Sequence, residues 1–140
     1  MANHTGSCLC GAVKYELKGA PAFAGLCQCD HCQCQSGSAF LNLVVYPKSA
    51  ITITQGELGS YTAVSDKGRK VERQFCSACG SPLLISPAKY PDICAVAGGT
   101  LDDRTLATPS FSFWCDRQPD WLTLPDDMTL FPTYPEELTL

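Results

Sequence analysis

The sequence predicts a mainly β fold, an antiparallel sandwich or barrel-like stack of short strands, in a single domain over residues 1–140. Three observations carry that prediction. Apolar and β-branched residues recur in runs of four to eight, several of them alternating. Glycine and proline separate those runs at short intervals. The 3.6-residue periodicity of amphipathic helices is almost absent.

Taken in order, residues 12–17 (Ala-Val-Lys-Tyr-Glu-Leu) alternate after Gly11, and residues 39–46 form a β-rich run closed by Pro47. Residues 51–54 (Ile-Thr-Ile-Thr) alternate strictly. Residues 61–64, 71–75, 82–85, 93–97 and 111–114 read as strands in the same way. Gly56, Gly59, Gly68, Gly80, Gly98 and Gly99, with Pro47, Pro87, Pro91 and Pro109, supply the turns. Helical signal is confined to residues 30–37, a turn or two, and 101–106, a short turn. From Gln118 onward, Pro119, Pro125, Pro132 and Pro135 oppose regular structure. Residues 118–140 are expected to lie extended on the body, pinned by Trp121, Leu124 and Phe131.

A formal charge of −4 opposes tight binding to phosphate backbones, so nucleic acid is not the expected partner. Lys67, Arg69, Lys70 and Arg73 approach a cluster, which reads as a solvated loop face. The first seven residues lack a charged lead and apolar core, and no apolar run reaches the roughly 18 residues that span a bilayer. A cytoplasmic protein with no membrane association is the expectation.

Ten cysteines then need a purpose. A disulfide framework and metal-held thiolates are the two candidates. Eight cysteines fall in three tight groups: Cys8 and Cys10; Cys27, Cys29, Cys32 and Cys34; Cys76 and Cys79. Close neighbours are poorly placed to bridge one another but well placed to chelate one ion. Cys8-Leu9-Cys10-Gly11 and Cys76-Ser77-Ala78-Cys79-Gly80 read as two halves of one clasp, each ending in a glycine suited to positive φ. Four thiolates make a closed tetrahedral zinc site that stabilises the fold.

Cys27, Cys29 and Cys32 offer three thiolates in six residues with no evident local fourth ligand, the pattern of a zinc site with an open position. His31 and Cys34 are the side chains able to close it. A rival pairing, Cys29-x-x-Cys32 with Cys76-x-x-Cys79, reads as a zinc ribbon. Its separation far exceeds the roughly 15–20 residues usual there, and it leaves Cys8 and Cys10 unused. Cys94 and Cys115, alone in apolar runs, read as small buried hydrophobes.

The chain resembles the glutathione-dependent formaldehyde-activating enzyme family (the CENP-V/GFA domain). The resemblance rests on Gly6-Ser7-Cys8-Leu9-Cys10-Gly11 with Val13 and Tyr15; Cys27-x-Cys29-x-x-Cys32 before Ser36-Gly37; Arg73-Gln74-Phe75-Cys76-Ser77-Ala78-Cys79-Gly80; and Ala97-Gly98-Gly99-Thr100-Leu101-Asp102. With Trp121 these stretches reach across almost the whole chain. The resemblance implies an Mss4-like fold of twisted antiparallel sheets around a structural zinc held by Cys8, Cys10, Cys76 and Cys79. It implies a second, catalytic zinc on Cys27, Cys29 and Cys32. The implied activity is that of a carbon–sulfur lyase acting on a thiol–aldehyde adduct, with glutathione and formaldehyde as partners. A non-enzymatic module that binds a protein or buffers zinc is the alternative, and needs only the four-cysteine clasp.

Gln28 stands where the family commonly has histidine, and Gln33 where a basic residue is common. These replacements remove positive and proton-carrying groups from the immediate neighbourhood of the trio. Asp102 and Asp103 are candidate site carboxylates, though an aspartate after a strand more often caps a turn.

Overall fold

The computed structural model describes residues 2–135. Eleven strands and one α-helix follow one another: β1 (Asn3–Ser7), β2 (Lys14–Lys18), β3 (Phe23–Cys27), α1 (Asp30–Ser36), β4 (Leu41–Pro47), β5 (Ile51–Gln55), β6 (Leu58–Val64), β7 (Lys70–Cys76), β8 (Pro82–Pro87), β9 (Ile93–Ala97), β10 (Phe111–Phe113) and β11 (Thr129–Leu130). Among the described residues these form a three-stranded sheet, β1-β2-β5, and an eight-stranded sheet, β11-β10-β3-β4-β9-β8-β7-β6. The mainly β expectation holds. Its antiparallel character needs one correction: β10 pairs parallel with both β3 and β11, so the larger sheet is mixed.

Alternation along the strands explains the layering, because successive side chains leave opposite faces of a sheet. Val44 and Tyr46 of β4, Leu84 of β8, and Cys94 and Val96 of β9 meet Val13, Tyr15 and Leu17 between the two sheets, forming the main core. Their neighbours Val45, Ile85, Ala95 and Ala97 face the other way, where Leu43, Val71 and Ile93 join them beside α1. The larger sheet is therefore apolar on both faces, and only one of them is covered by the smaller sheet.

Three strands escaped the sequence reading. β1, Asn-His-Thr-Gly-Ser, carries no apolar side chain, and its Gly6 must be small: a Cβ there would collide with the Tyr15 ring. Tyr15 Oη, crossing that position, lies 2.8 Å from Thr100 Oγ1. β3 carries Gly25 at its centre, where a Cβ comes within 3.1 Å of the Phe113 ring on β10. β11 has only two residues. The helical turn expected at residues 101–106 is instead two 3₁₀ turns, Gly98–Thr100 and Arg104–Ala107.

The tail is held by other residues than Trp121, which is 74% exposed. Phe131 stacks on Phe113 with ring centroids 5.6 Å apart, and Tyr134 approaches the same ring at 4.8 Å. Cys115 N–H donates to Phe131 O at 2.9 Å, and Phe131 N–H to Ser112 O at 2.9 Å. Residues 136–140 of the expected tail lie outside the described residues.

Candidate functional site

The four clasp cysteines converge from two turns. Cys8 and Cys10 leave the β1–β2 turn; Cys76 ends β7 and Cys79 sits in the turn to β8. Gly11 and Gly80 both take φ of +79°, the left-handed conformation that a side chain resists. All four sulfurs lie within 4.8 Å of one another. Cys8 Sγ is 3.6 Å from Cys10 Sγ, which is 3.8 Å from Cys76 Sγ. Zinc–sulfur bonds of about 2.3 Å at tetrahedral angles put sulfurs roughly 3.8 Å apart. The donor set and its spacing fit zinc.

Backbone N–H groups support these sulfurs, but not those of the glycines. Val13 N–H donates to Cys8 Sγ at 3.2 Å and Cys79 N–H to Cys76 Sγ at 3.4 Å. The glycine N–H groups close the turns on the carbonyls of Cys8 and Cys76. Ser81, unremarked in the sequence, ties the halves together. Its Oγ accepts from Leu9 N–H at 3.0 Å and lies 3.2 Å from Cys79 Sγ. That hydroxyl, with the Ser81 backbone amide, pulls the Cys79 thiol down to about 5. Ionised sulfur is the form a metal takes.

The trio forms where β3 gives way to α1. Cys27 closes the strand, Cys29 caps the helix and Cys32 lies in its first turn, with Cys32 N–H donating to Cys29 Sγ at 3.3 Å. Gly37 ends the helix at φ +64°. The three sulfurs lie within 4.8 Å of one another, and neither His31 nor Cys34 belongs to that group. Thiol hydrogen bonds from Cys27 and Cys32 hold Cys29 far below the usual thiol range, helped by the Cys32 amide and the Arg73 charge. Cys27 is pushed well above it, first by its hydrogen bond to Cys29 and then by Cys32 and burial. Three crowded sulfurs cannot share negative charge without a cation, so this trio too fits a metal.

Arg73 supplies part of the compensation. It is only 7% exposed, and it reaches from β7 to place Nη1 and Nη2 at 3.6 and 3.7 Å from Cys32 Sγ. Gln35 Oε1 accepts from Nη1 at 2.7 Å and fixes the guanidinium. Arg73 Nε has no partner among the described residues.

Gln28 and Gln33 face away from this chemistry. Gln28 is fully buried and donates to Ser112 Oγ at 3.0 Å and Gln118 Oε1 at 3.1 Å. Gln33 Nε2 donates to the carbonyls of Gln28 and Arg117. Both brace the cysteine loop against the tail. Asp102 accepts from Thr5 Oγ1, and Asp103 caps the Arg104–Ala107 turn through Thr105 N–H at 3.1 Å. They act as turn residues, and neither lines the cavity beside the trio. Cys94 is buried as expected, whereas Cys115 is half-buried with its thiol 3.4 Å from Ser112 O. Cys34 is exposed.

A cavity of about 220 Å³ opens beside Cys27, Cys29 and Cys32. Lys67, Arg69 and Lys70, from the β6–β7 hairpin, line it together with Arg73 and Arg117. Within the basic cluster Lys67 and Lys70 are exposed, as a solvated face requires, and Arg69 is half-buried, whereas Arg73 is buried; all four also line this cavity. Arg117 is engaged by Asp30 at 3.5 Å and Asp116 at 3.7 Å. Sequence proximity hid this arrangement, because Arg73 and the β6–β7 hairpin lie far from the trio along the chain.

Comparisons with known proteins agree with this geometry. A Halomonas elongata protein, provisionally named a glutathione-dependent formaldehyde-activating enzyme, is 25% identical over 94% of this chain and 88% of its own length. A crystal structure of a Rhodobacter sphaeroides protein matches with a TM-score of 0.57 at 23% identity, over 71% of this chain and 88% of that one, which supports the fold. Among the described residues no helix is long and apolar enough to cross a membrane. Residues 3–117 match the family described as glutathione-dependent formaldehyde-activating enzyme, and the chain belongs to that family.

Proposed function

We propose that this protein is a zinc-dependent carbon–sulfur lyase of the cytoplasm, making and breaking adducts between a thiol and a small aldehyde. Glutathione and formaldehyde, giving S-hydroxymethylglutathione, are the pair that the family name and the related Halomonas protein's name favour. The observation that carries the reading is the trio: three mutually close sulfurs, no fourth ligating side chain in their group among the described residues, and a cavity at their side. Cys8, Cys10, Cys76 and Cys79 hold a structural zinc in this reading, and Cys27, Cys29 and Cys32 hold a catalytic one.

The chemistry is an addition. A bond forms between thiol sulfur and carbonyl carbon, and the sulfur's proton ends on the carbonyl oxygen. Zinc on the trio supplies a stabilised thiolate and a Lewis acid for the carbonyl. The chain supplies the rest. Arg73 offsets the charge of three thiolates and holds Cys32 in place. Lys67, Arg69 and Lys70 attract a carboxylate-bearing thiol such as glutathione, which removes the apparent shortage of positive groups around Gln28 and Gln33. Apolar walls limit water at the reacting carbon.

The test is a calorimetric or NMR titration of zinc-loaded protein with glutathione, alone and with formaldehyde. Saturable binding that changes on adding the aldehyde is expected. No binding at millimolar glutathione contradicts the glutathione assignment.

A further inference from the structure

The cavity is built for more than formaldehyde. Its floor is one transverse row of the larger sheet, fixed by strand register: Phe23 faces Val45, Val45 faces Ala95, Ala95 faces Ile85, and Ile85 faces Arg73. Four apolar side chains thus run from β3 toward β7 before the first charge. Leu43, Val71 and Ile93 extend the apolar surface on either side. The smallest member of the row, Ala95, sits at its centre, and bulkier residues flank it. A larger side chain at that position would take up space at the middle of the floor.

Formaldehyde has no substituent to occupy such a surface. A cavity of about 220 Å³ exceeds the roughly 150 Å³ apolar cavity that takes up a benzene ring. Lys67, Arg69 and Lys70 stand on the hairpin beside Asp66, while Arg73 ends the floor, and no carboxylate among the described residues forms an ion pair with Lys67, Arg69 or Lys70. Apolar floor and cationic hairpin together match an amphiphilic anion.

The geometry points to a thiol–aldehyde adduct whose aldehyde half carries an aromatic or branched aliphatic arm, seated on the Phe23–Val45–Ala95–Ile85 row, while carboxylates of the thiol half face Lys67, Arg69 and Lys70. This rests on the thiol–aldehyde reading above and names its substrate class. The step needs no oxidant or reductant: sulfur bonds to the carbonyl carbon, and the proton from sulfur ends on the oxygen.

Stable thioethers test the pocket without turnover. Zinc-loaded protein is titrated calorimetrically with S-methylglutathione and S-benzylglutathione, which differ only in the group on sulfur. The benzyl compound is expected to bind at least about tenfold tighter, from burial of the ring. In Ala95→Leu, checked for folding by zinc content and melting temperature, the two affinities converge to within about threefold. Equal affinities in the unaltered chain overturn the pocket and leave the thiol–aldehyde reading standing. If neither thioether binds, 4-phenylbutyrate separates the two ideas. Its binding, lost in Ala95→Leu, supports the pocket while removing glutathione as the thiol. Failure of all three compounds on the unaltered chain overturns the pocket, and that comparison stands even if Ala95→Leu does not fold.

Discussion

The clasp and the trio gather the same side chain in different numbers, four in one and three in the other. Both gather sulfurs within 4.8 Å, and both draw a backbone amide toward sulfur across a Cys-x-x-Cys spacing. The clasp has four donors from two turns far apart in sequence, and it joins the smaller sheet to the larger. The trio has three donors from one short stretch, a guanidinium on its flank and a cavity at its side. A closed tetrahedron leaves nothing for a substrate to displace, whereas three donors leave a position free. In the proposed reading, the fourth ligand separates holding the chain together from doing chemistry.

The largest effect that sharpens this contrast is expected from Cys76→Ser. Structural zinc contributes about 10–16 kcal/mol in zinc-finger peptides, against about 5–15 kcal/mol for the net stability of a domain. The variant is expected to be insoluble or unfolded by circular dichroism; a soluble variant with an unchanged melting temperature breaks the comparison. Cys29→Ser comes next. It is expected to keep its fold and lose one zinc ion by metal analysis, with adduct formation abolished. Global unfolding in that variant makes the trio structural as well.

Arg73→Met acts on the trio alone. Supporting contacts of this kind are worth about 10–100-fold in metal affinity, so chelator competition should show that loss at one ion while the other is unchanged. Arg73→Lys keeps the charge without the planar fork and is expected to fall between. Equal weakening of both ions assigns Arg73 a general structural role. Smallest is Ser81→Ala, which removes the hydroxyl shared by Leu9 N–H and Cys79 Sγ. One net hydrogen bond is worth about 1 kcal/mol, or roughly 4 °C in melting temperature for a chain of this size. No shift in melting temperature removes Ser81 as a link between the halves.

The cysteine groups were legible in the sequence because each close pair and the trio follow a short spacing suited to chelation, and the structure brings the two distant pairs together. The strictly alternating strand at residues 51–54 and the continuous apolar run at 93–97 were equally open, the second because its strand is apolar on both faces. β1 has no apolar side chain to mark it, and Gly6 and Gly25 are small because an aromatic ring from elsewhere passes over each, a tertiary fact that leaves no local pattern. The parallel pairing of β10 was hidden similarly, for register with β3 depends on the chain between them. Above all, the pocket could not be read. Lys67, Arg69 and Lys70 look like an ordinary hairpin surface until the larger sheet brings them to the lining of the same cavity as Cys27, Cys29 and Cys32. Gln28 erred the other way, next to the ligands in sequence yet turned toward Ser112 and Gln118.

The difference between a closed and an open sulfur site is tested most directly by cadmium-113 NMR of protein refolded with that ion in place of zinc. The account predicts two resonances, one at the shift of four-sulfur coordination and one at the shift of three sulfurs with a lighter donor, and only the second moves when a thiol is added. A single resonance, or two four-sulfur resonances that both ignore the thiol, contradicts it.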